Sequence, residues 1–201
     1  MKLSSLCALQ MGYTARSRLE PASEGGVLAL QLRDISADGD IGIQTLSRVQ
    51  LPDLSERYMV GSGDVVFRSR GERTTATAID ESMKERAVAI LPLIILRPDP
   101  SFITPQFLAW SINLPANQRR LNESAQGASI RMVPKSALDE LRIDVPDLAT
   151  QRHIVAAANL ALREAALAAS VAEKSLSLTT LALANAAKRA SEHGPSERSK
   201  P

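Results

Sequence analysis

The sequence predicts an α+β fold: a mixed α/β domain over residues 1–146, followed by a long C-terminal coiled-coil α-helix over residues 147–190. Three observations predict it. Short apolar runs of strand length, bounded by Gly, Pro and Asp, recur before residue 146. Two helix starts lie among them, at Thr104-Pro105 and Leu114-Pro115. From Asp147 to Ala190 there is no Gly and no Pro, and Ala and Leu, both strong helix formers, dominate.

The elements follow in order. Val27 to Leu32 (VLALQL) is a strand, and Asp34 to Gly42 carries turn chemistry through Asp38-Gly39. Asp64 to Arg68 (DVVFR) is a second strand, opened by the turn Gly61-Ser62-Gly63. Ala87 to Leu96 is the most apolar run, but Pro92 cannot donate to a ladder and so divides it. Thr104 caps a helix whose first residue is Pro105; a second runs from Pro115 towards Ala125, with Gly127 as its stop. Arg142 to Val145 is a last short strand, closed by Pro146.

Asp147 caps the long helix, where its charge also suits the helix dipole. Leu148, Val155, Leu162, Ala169, Leu176 and Leu183 repeat every seven residues, and Gln151, Ala158, Ala165, Ala172, Thr179 and Ala186 lie three positions on. This row predicts a pairing seam. Packing of the helix on its own domain is the other reading, but roughly 65 Å of helix would overhang a domain of this size. Residues 191–201 are polar and expected to be disordered.

Composition narrows the function. The chain has 201 residues, 44% of them hydrophobic and 23% charged, enough to bury a core without staples. Its single cysteine, Cys7, allows no internal disulfide and no Cys-rich zinc site. No signal peptide is expected, and no stretch is read as a membrane span of about 20 apolar residues. A cytoplasmic protein without membrane partners follows as the expectation. Net charge is +2, and the residues before Asp147 hold 17 basic and 17 acidic side chains. Bulk electrostatics therefore gives no argument for nucleic acid, and any such argument rests on local clusters.

Catalytic and metal motifs are not found. His153 lies in the first turns of the long helix and His193 in the tail, without metal-binding spacing. Gly61-Ser62-Gly63 lacks the rest of a phosphate loop, and no methylase tetrapeptide occurs. No catalytic residue, metal or cofactor is expected.

Two loops carry binding chemistry. Arg68, Ser69, Arg70 and Arg73 follow the second strand, with Gly71 between them. The arginine fork suits a guanine edge or a phosphate, and Ser69, Thr74 and Thr75 offer neutral donors. Gln126, Ser129 and Arg131 form a second loop around Gly127, and a glutamine pairs bidentately with adenine. Arg16 and Arg18, after Gly12-Tyr13-Thr14, are further phosphate candidates. Each loop also has a plain reading, a solvated surface turn or a helix stop.

The order of these motifs resembles the target-recognition domain of the specificity (S) subunits of type I restriction-modification systems. The matching parts are Gly12-Tyr13-Thr14, Leu32-Arg33-Asp34-Ile35 with Gly39, Gly63-Asp64-Val65-Val66-Phe67 with Arg70-Gly71, and Phe107-Leu108-Ala109-Trp110. Ala125-Gln126-Gly127-Ala128, Leu138 to Leu141, and Val145-Pro146-Asp147-Leu148 with Gln151 and Ile154 complete it. The resemblance covers roughly residues 5 to 190. It implies a non-catalytic subunit that reads double-stranded DNA and joins a methyltransferase subunit and, through that complex, a nuclease-translocase subunit. It also implies long helices that pair antiparallel as spacers. Members of that family carry two recognition domains and two helices, whereas this sequence has one of each. A half-length subunit is therefore expected, with a homodimer reading an inverted, bipartite site. The alternative is a coiled-coil scaffold or regulator of another specificity subunit that reads no DNA, a reading the neutral charge of the domain favours.

Overall fold

The fold is that of a computed structural model, which describes all residues except 16–18, 23–24, 37, 52–53, 72–73, 128–130 and 193–201. Its contacts divide it into two units, Met1–Val155 and Ala156–Pro201. The first unit thus includes the opening turns of the long helix.

The strands are β1 (Cys7–Met11), β2 (Val27–Leu30), β3 (Ser47–Val49), β4 (Met59–Val60), β5 (Val65–Arg68), β6 (Ala76–Ala78), β7 (Ala87–Ala89) and β8 (Leu93–Pro98). They form two four-stranded sheets, ordered β1-β8-β5-β6 and β3-β2-β7-β4. The first sheet is antiparallel throughout; in the second, β2 and β7 run parallel. Pro92 divides the apolar run as expected. Its peptide bond to Leu91 is cis, and β7 and β8 on either side belong to different sheets. Arg142 to Val145 forms no strand, only an isolated bridge from Arg142 to Lys2.

Side chains alternate across a strand, and β8 uses both faces. Ile94 and Leu96 join Val65, Phe67, Phe107, Leu108, Ile112 and Leu138 in one core. Leu93 and Ile95 join Val66, Leu30, Val60, Ala87 and Ala89 in a second core between the sheets. Helices α1 (Pro105–Asn113), α2 (Pro115–Glu123) and α3 (Lys135–Glu140) contribute to the first core. Thr104 caps α1 by accepting a hydrogen bond from the Phe107 amide at 3.3 Å. Gly12 is fixed by contact: a Cβ there would lie 2.9 Å from backbone atoms of Ala89, Ile90 and Leu91. Only glycine allows β1 to pass this close.

Helix α4 spans Leu148–Glu192, 45 residues. Asp147 caps it as expected: its carboxylate accepts from the amides of Ala149 and Thr150, both at 3.0 Å, and from the Thr150 hydroxyl at 2.6 Å. The Thr150 hydroxyl, ahead of the amides, holds the Asp147 carboxyl below its ordinary pKa. Among the described residues, Leu148–Ser191 is long and apolar enough to cross a membrane by length and composition, a correction to the sequence expectation. Alanine gives it that character. Arg163, Glu164, Glu173 and Lys174 interrupt it, so any segment of about 20 residues between Gln151 and Lys188 holds at least two charges.

Candidate nucleic-acid interface

The structure brings the two candidate loops together. β5 ends at Arg68, and the chain beyond it pairs with Met132 and Val133. Arg70 bridges Met132 in antiparallel fashion, and Met132 exchanges two backbone hydrogen bonds with Gln126, at 2.8 and 3.0 Å. The Val133 amide donates to the Ser69 carbonyl at 2.8 Å. Arg70, Gln126, Gly127 and Arg131, more than fifty residues apart in sequence at the extremes, thus share one exposed backbone platform. Gly71 and Gly127 have φ of 121° and 117°, in the region that favours glycine, so both turns depend on that residue type.

Within the platform the side chains have different roles. Arg70 and Gln126 are exposed. Arg131 is also exposed, but one guanidinium nitrogen donates to the carbonyls of Asn122, at 2.8 Å, and Ala125, at 3.4 Å. It thereby satisfies carbonyls at the end of α2, where a cation also suits the helix dipole. Arg68 turns partly inward. Its Nη1 donates to the Ile35 carbonyl at 2.8 Å, and its Nε is buried with no partner among the described residues. This arginine ties β5 to the turn after Asp34.

Ser69 is corrected outright: it is fully buried and its hydroxyl donates to the Pro92 carbonyl at 2.5 Å, so it cannot face a phosphate. Thr74 is buried too and donates to Gln118 Oε1 at 2.9 Å, anchoring the arginine loop on α2. Gln118 in turn donates to the Ile112 carbonyl at 2.9 Å. The predicted contacts Arg16, Arg18, Arg73 and Ser129 lie outside the described residues, as does His193. Arg119, exposed beside the anchoring Gln118, is a cation that sequence reading passed over. Nothing in the local sequence joins α2 to the arginine loop; the Thr74–Gln118 bond does.

The Gly63-Asp64 pair is structural. Gly63 sits at φ 95°, and Asp64 accepts from the Gly61 amide at 3.0 Å with Arg97 Nε 3.7 Å away. Burial nevertheless pushes the Asp64 carboxyl above its ordinary pKa. Cys7 is buried, its thiol donating to the Leu3 carbonyl at 3.4 Å, and burial pushes its pKa up to about 12.

The predicted seam is also revised at its start. Gln151 is fully buried: it accepts from the Thr104 amide at 2.9 Å and donates to the carbonyls of Phe102, at 2.8 Å, and Pro146, at 2.9 Å. Val155 packs with Ile154 against the first core, and Leu148 is half-buried. These three residues are committed to the first unit. Leu162, Ala165, Ala169, Leu176 and Leu183 remain exposed.

Among the described residues no three His, Cys, Asp or Glu side chains converge as a metal site. A cleft of about 700 Å³ is lined by Trp110, Ser111, Arg120, Arg142 and Ile154 among others, and includes none of the platform residues.

No family model matches the sequence, and no curated protein matches it. Solved structures do. A chain from a study of complex assembly and conformational transition of a type I R-M system aligns with TM-score 0.66 at 20% identity, covering 90% of this chain and 42% of that one. The HsdS subunit from Thermoanaerobacter tengcongensis aligns with TM-score 0.60 at 20% identity, over 83% and 37%. The type I S subunit from M. genitalium aligns with TM-score 0.54 at 15% identity, over 80% and 37%. The chain spans about two fifths of the length of these neighbours, and over that span it has the fold of the S subunits of type I restriction-modification systems.

Proposed function

We propose that this chain is a non-catalytic, cytoplasmic specificity subunit of a restriction-modification complex. Its 1–155 unit reads one half of a bipartite double-stranded DNA site. Its helix pairs with that of a second copy, so that two half-sites are read in inverted orientation, and recruits a methyltransferase subunit that brings in the nuclease-translocase.

The observation that carries this reading is the exposed platform on which Arg70, Gln126 and Arg131 meet within an S-subunit-like fold. Arg70 and Gln126, on either side of Met132, offer two bidentate groups, an arginine for guanine and a glutamine for adenine. Arg73 and Ser129 adjoin them in sequence, and Arg16, Arg18 and Arg119 supply phosphate contacts.

Selection from a pool of randomised duplexes tests it, with the chain alone and with a type I methyltransferase subunit. Enrichment of an inverted repeat, lost in the Arg70→Ala/Arg73→Ala double variant, is the expected result. Binding to the methyltransferase without any enriched sequence would replace DNA reading with the scaffold role, which the neutral domain favours.

A further inference from the structure

Helix α4 carries a second apolar row that the heptad seam does not include. Leu160, Leu167, Val171, Leu178 and Leu181 are each between 61 and 68% exposed. With Ala157, Glu164 and Lys174 they continue a spacing of three and four residues, and at 100° per residue this row is centred roughly 160° round the helix from the seam of Leu162, Leu176 and Leu183. It holds five of the eight large apolar side chains exposed beyond residue 156.

The row is symmetric about residue 169. Reversed and laid against itself, it places Ala157 opposite Leu181, Leu160 opposite Leu178, and Leu167 opposite Val171. Its two interior charges then meet as opposites, Glu164 against Lys174 and Lys174 against Glu164. His153 falls opposite Asn185, so the polar ends of the row also coincide. A parallel, in-register pair would instead set Glu164 against Glu164 and Lys174 against Lys174. Charged groups within an apolar row fix register and orientation, because the wrong arrangement juxtaposes like charges. The heptad seam has no such device. Its antiparallel layers set Leu162 on Thr179, Leu176 on Ala165 and Ala169 on Ala172, with no charge in the row to choose a direction.

We propose that the occupant of this second row is another copy of the same chain, paired antiparallel in the register that matches Leu160 with Leu178 and Glu164 with Lys174. The pairing runs over residues 153–185, roughly 50 Å of helix. It rests on the reading that two copies act together, and supplies the face and register that the reading leaves open. The heptad seam is then the face left for other partners.

Sedimentation of the full-length chain across a concentration series tests it, with circular dichroism to check that each variant keeps its helix. The wild type sediments as a dimer of 21.6 kDa chains. Leu167→Asp and Glu164→Lys each weaken the dimer by about tenfold or more, and Glu164→Lys/Lys174→Glu recovers it, because the reversed charges meet again. Leu162→Asp leaves the dimer in place. In a Leu160→Cys/Leu178→Cys variant, mild oxidation links the two copies. A dimer broken by Leu162→Asp but not by Leu167→Asp would move the seam to the other face and overturn the proposal. So would a charge swap that fails to recover, or a wild type that stays monomeric. Duplex selection is read separately, so a monomer that still enriches a DNA sequence separates failure of the pairing from failure of the functional reading.

Discussion

The two units of this chain treat apolar side chains in opposite ways. Residues 1–155 bury theirs in cores on both faces of the first sheet, and Phe67, Ile94, Ile95 and Leu96 have no exposed surface. Beyond residue 156 the chain is equally rich in leucine, yet Leu160, Leu162, Leu167, Leu176, Leu178, Leu181 and Leu183 are all at least 61% exposed. Burial of a leucine or valine stabilises by about 1.5–3 kcal/mol. The first unit realises that energy within itself; the second can realise it only with a partner. Substitutions of the same size should therefore act on different observables in the two units.

The largest effect is expected at the centre of the first unit. Phe67→Ala empties a position with no exposed surface and should cost about 3–5 kcal/mol in denaturant unfolding. Leu176→Ala removes an apolar side chain from the second unit and should leave unfolding of the first almost unchanged. A comparable loss at both positions would break the contrast.

Next comes Gln151→Ala, which leaves the Thr104 amide and the carbonyls of Phe102 and Pro146 without their side-chain partner and should cost about 2–3 kcal/mol. An unchanged unfolding midpoint would show that water replaces the amide.

Gly12→Ala follows at about 1–3 kcal/mol, since its Cβ would meet backbone that cannot rotate away. The thermal midpoint reads it.

Smallest is a pH effect. Burial raises the Asp64 pKa in the folded state, so the folded chain holds that proton to higher pH than the unfolded chain. Stability therefore falls as pH rises from the ordinary aspartate pKa through the raised one. Asp64→Asn should flatten that slope in pH-dependent urea melts; an identical slope in the variant would assign it to another group.

Much of this architecture was legible, for identifiable reasons. The long helix needed only the missing Gly and Pro, and its observed bounds, Leu148–Glu192, lie close to the expected 147–190. Thr104-Pro105 marked α1 because cap chemistry is local. β1 was not legible, since the apolar run at the start of the chain is broken and its pairing with β8 is supplied from far along the sequence. β6, only Ala76–Ala78, has no pattern of its own and exists because β5 pairs with it. At the candidate site, sequence singled out the two loops but could not sort their side chains. Ser69 looks like a donor for phosphate until its hydroxyl is found on the Pro92 carbonyl. Gln151 fits a heptad by spacing alone, yet its three hydrogen bonds lie within the first unit.

The pairing of β1 with β8 also sets an order of events. Leu9 lies beside Leu96, so the first strand of the central sheet has no neighbour until the chain has been made past residue 98. Synthesis adds roughly 5–20 residues per second, so β1 waits for several seconds or more with its edges unpaired. Helix α4, by contrast, closes turn by turn from neighbours in sequence, in well under a millisecond. The central sheet therefore closes only after residues far along the chain arrive, while the helix needs only its own neighbours, and the two units reach their folds on different clocks.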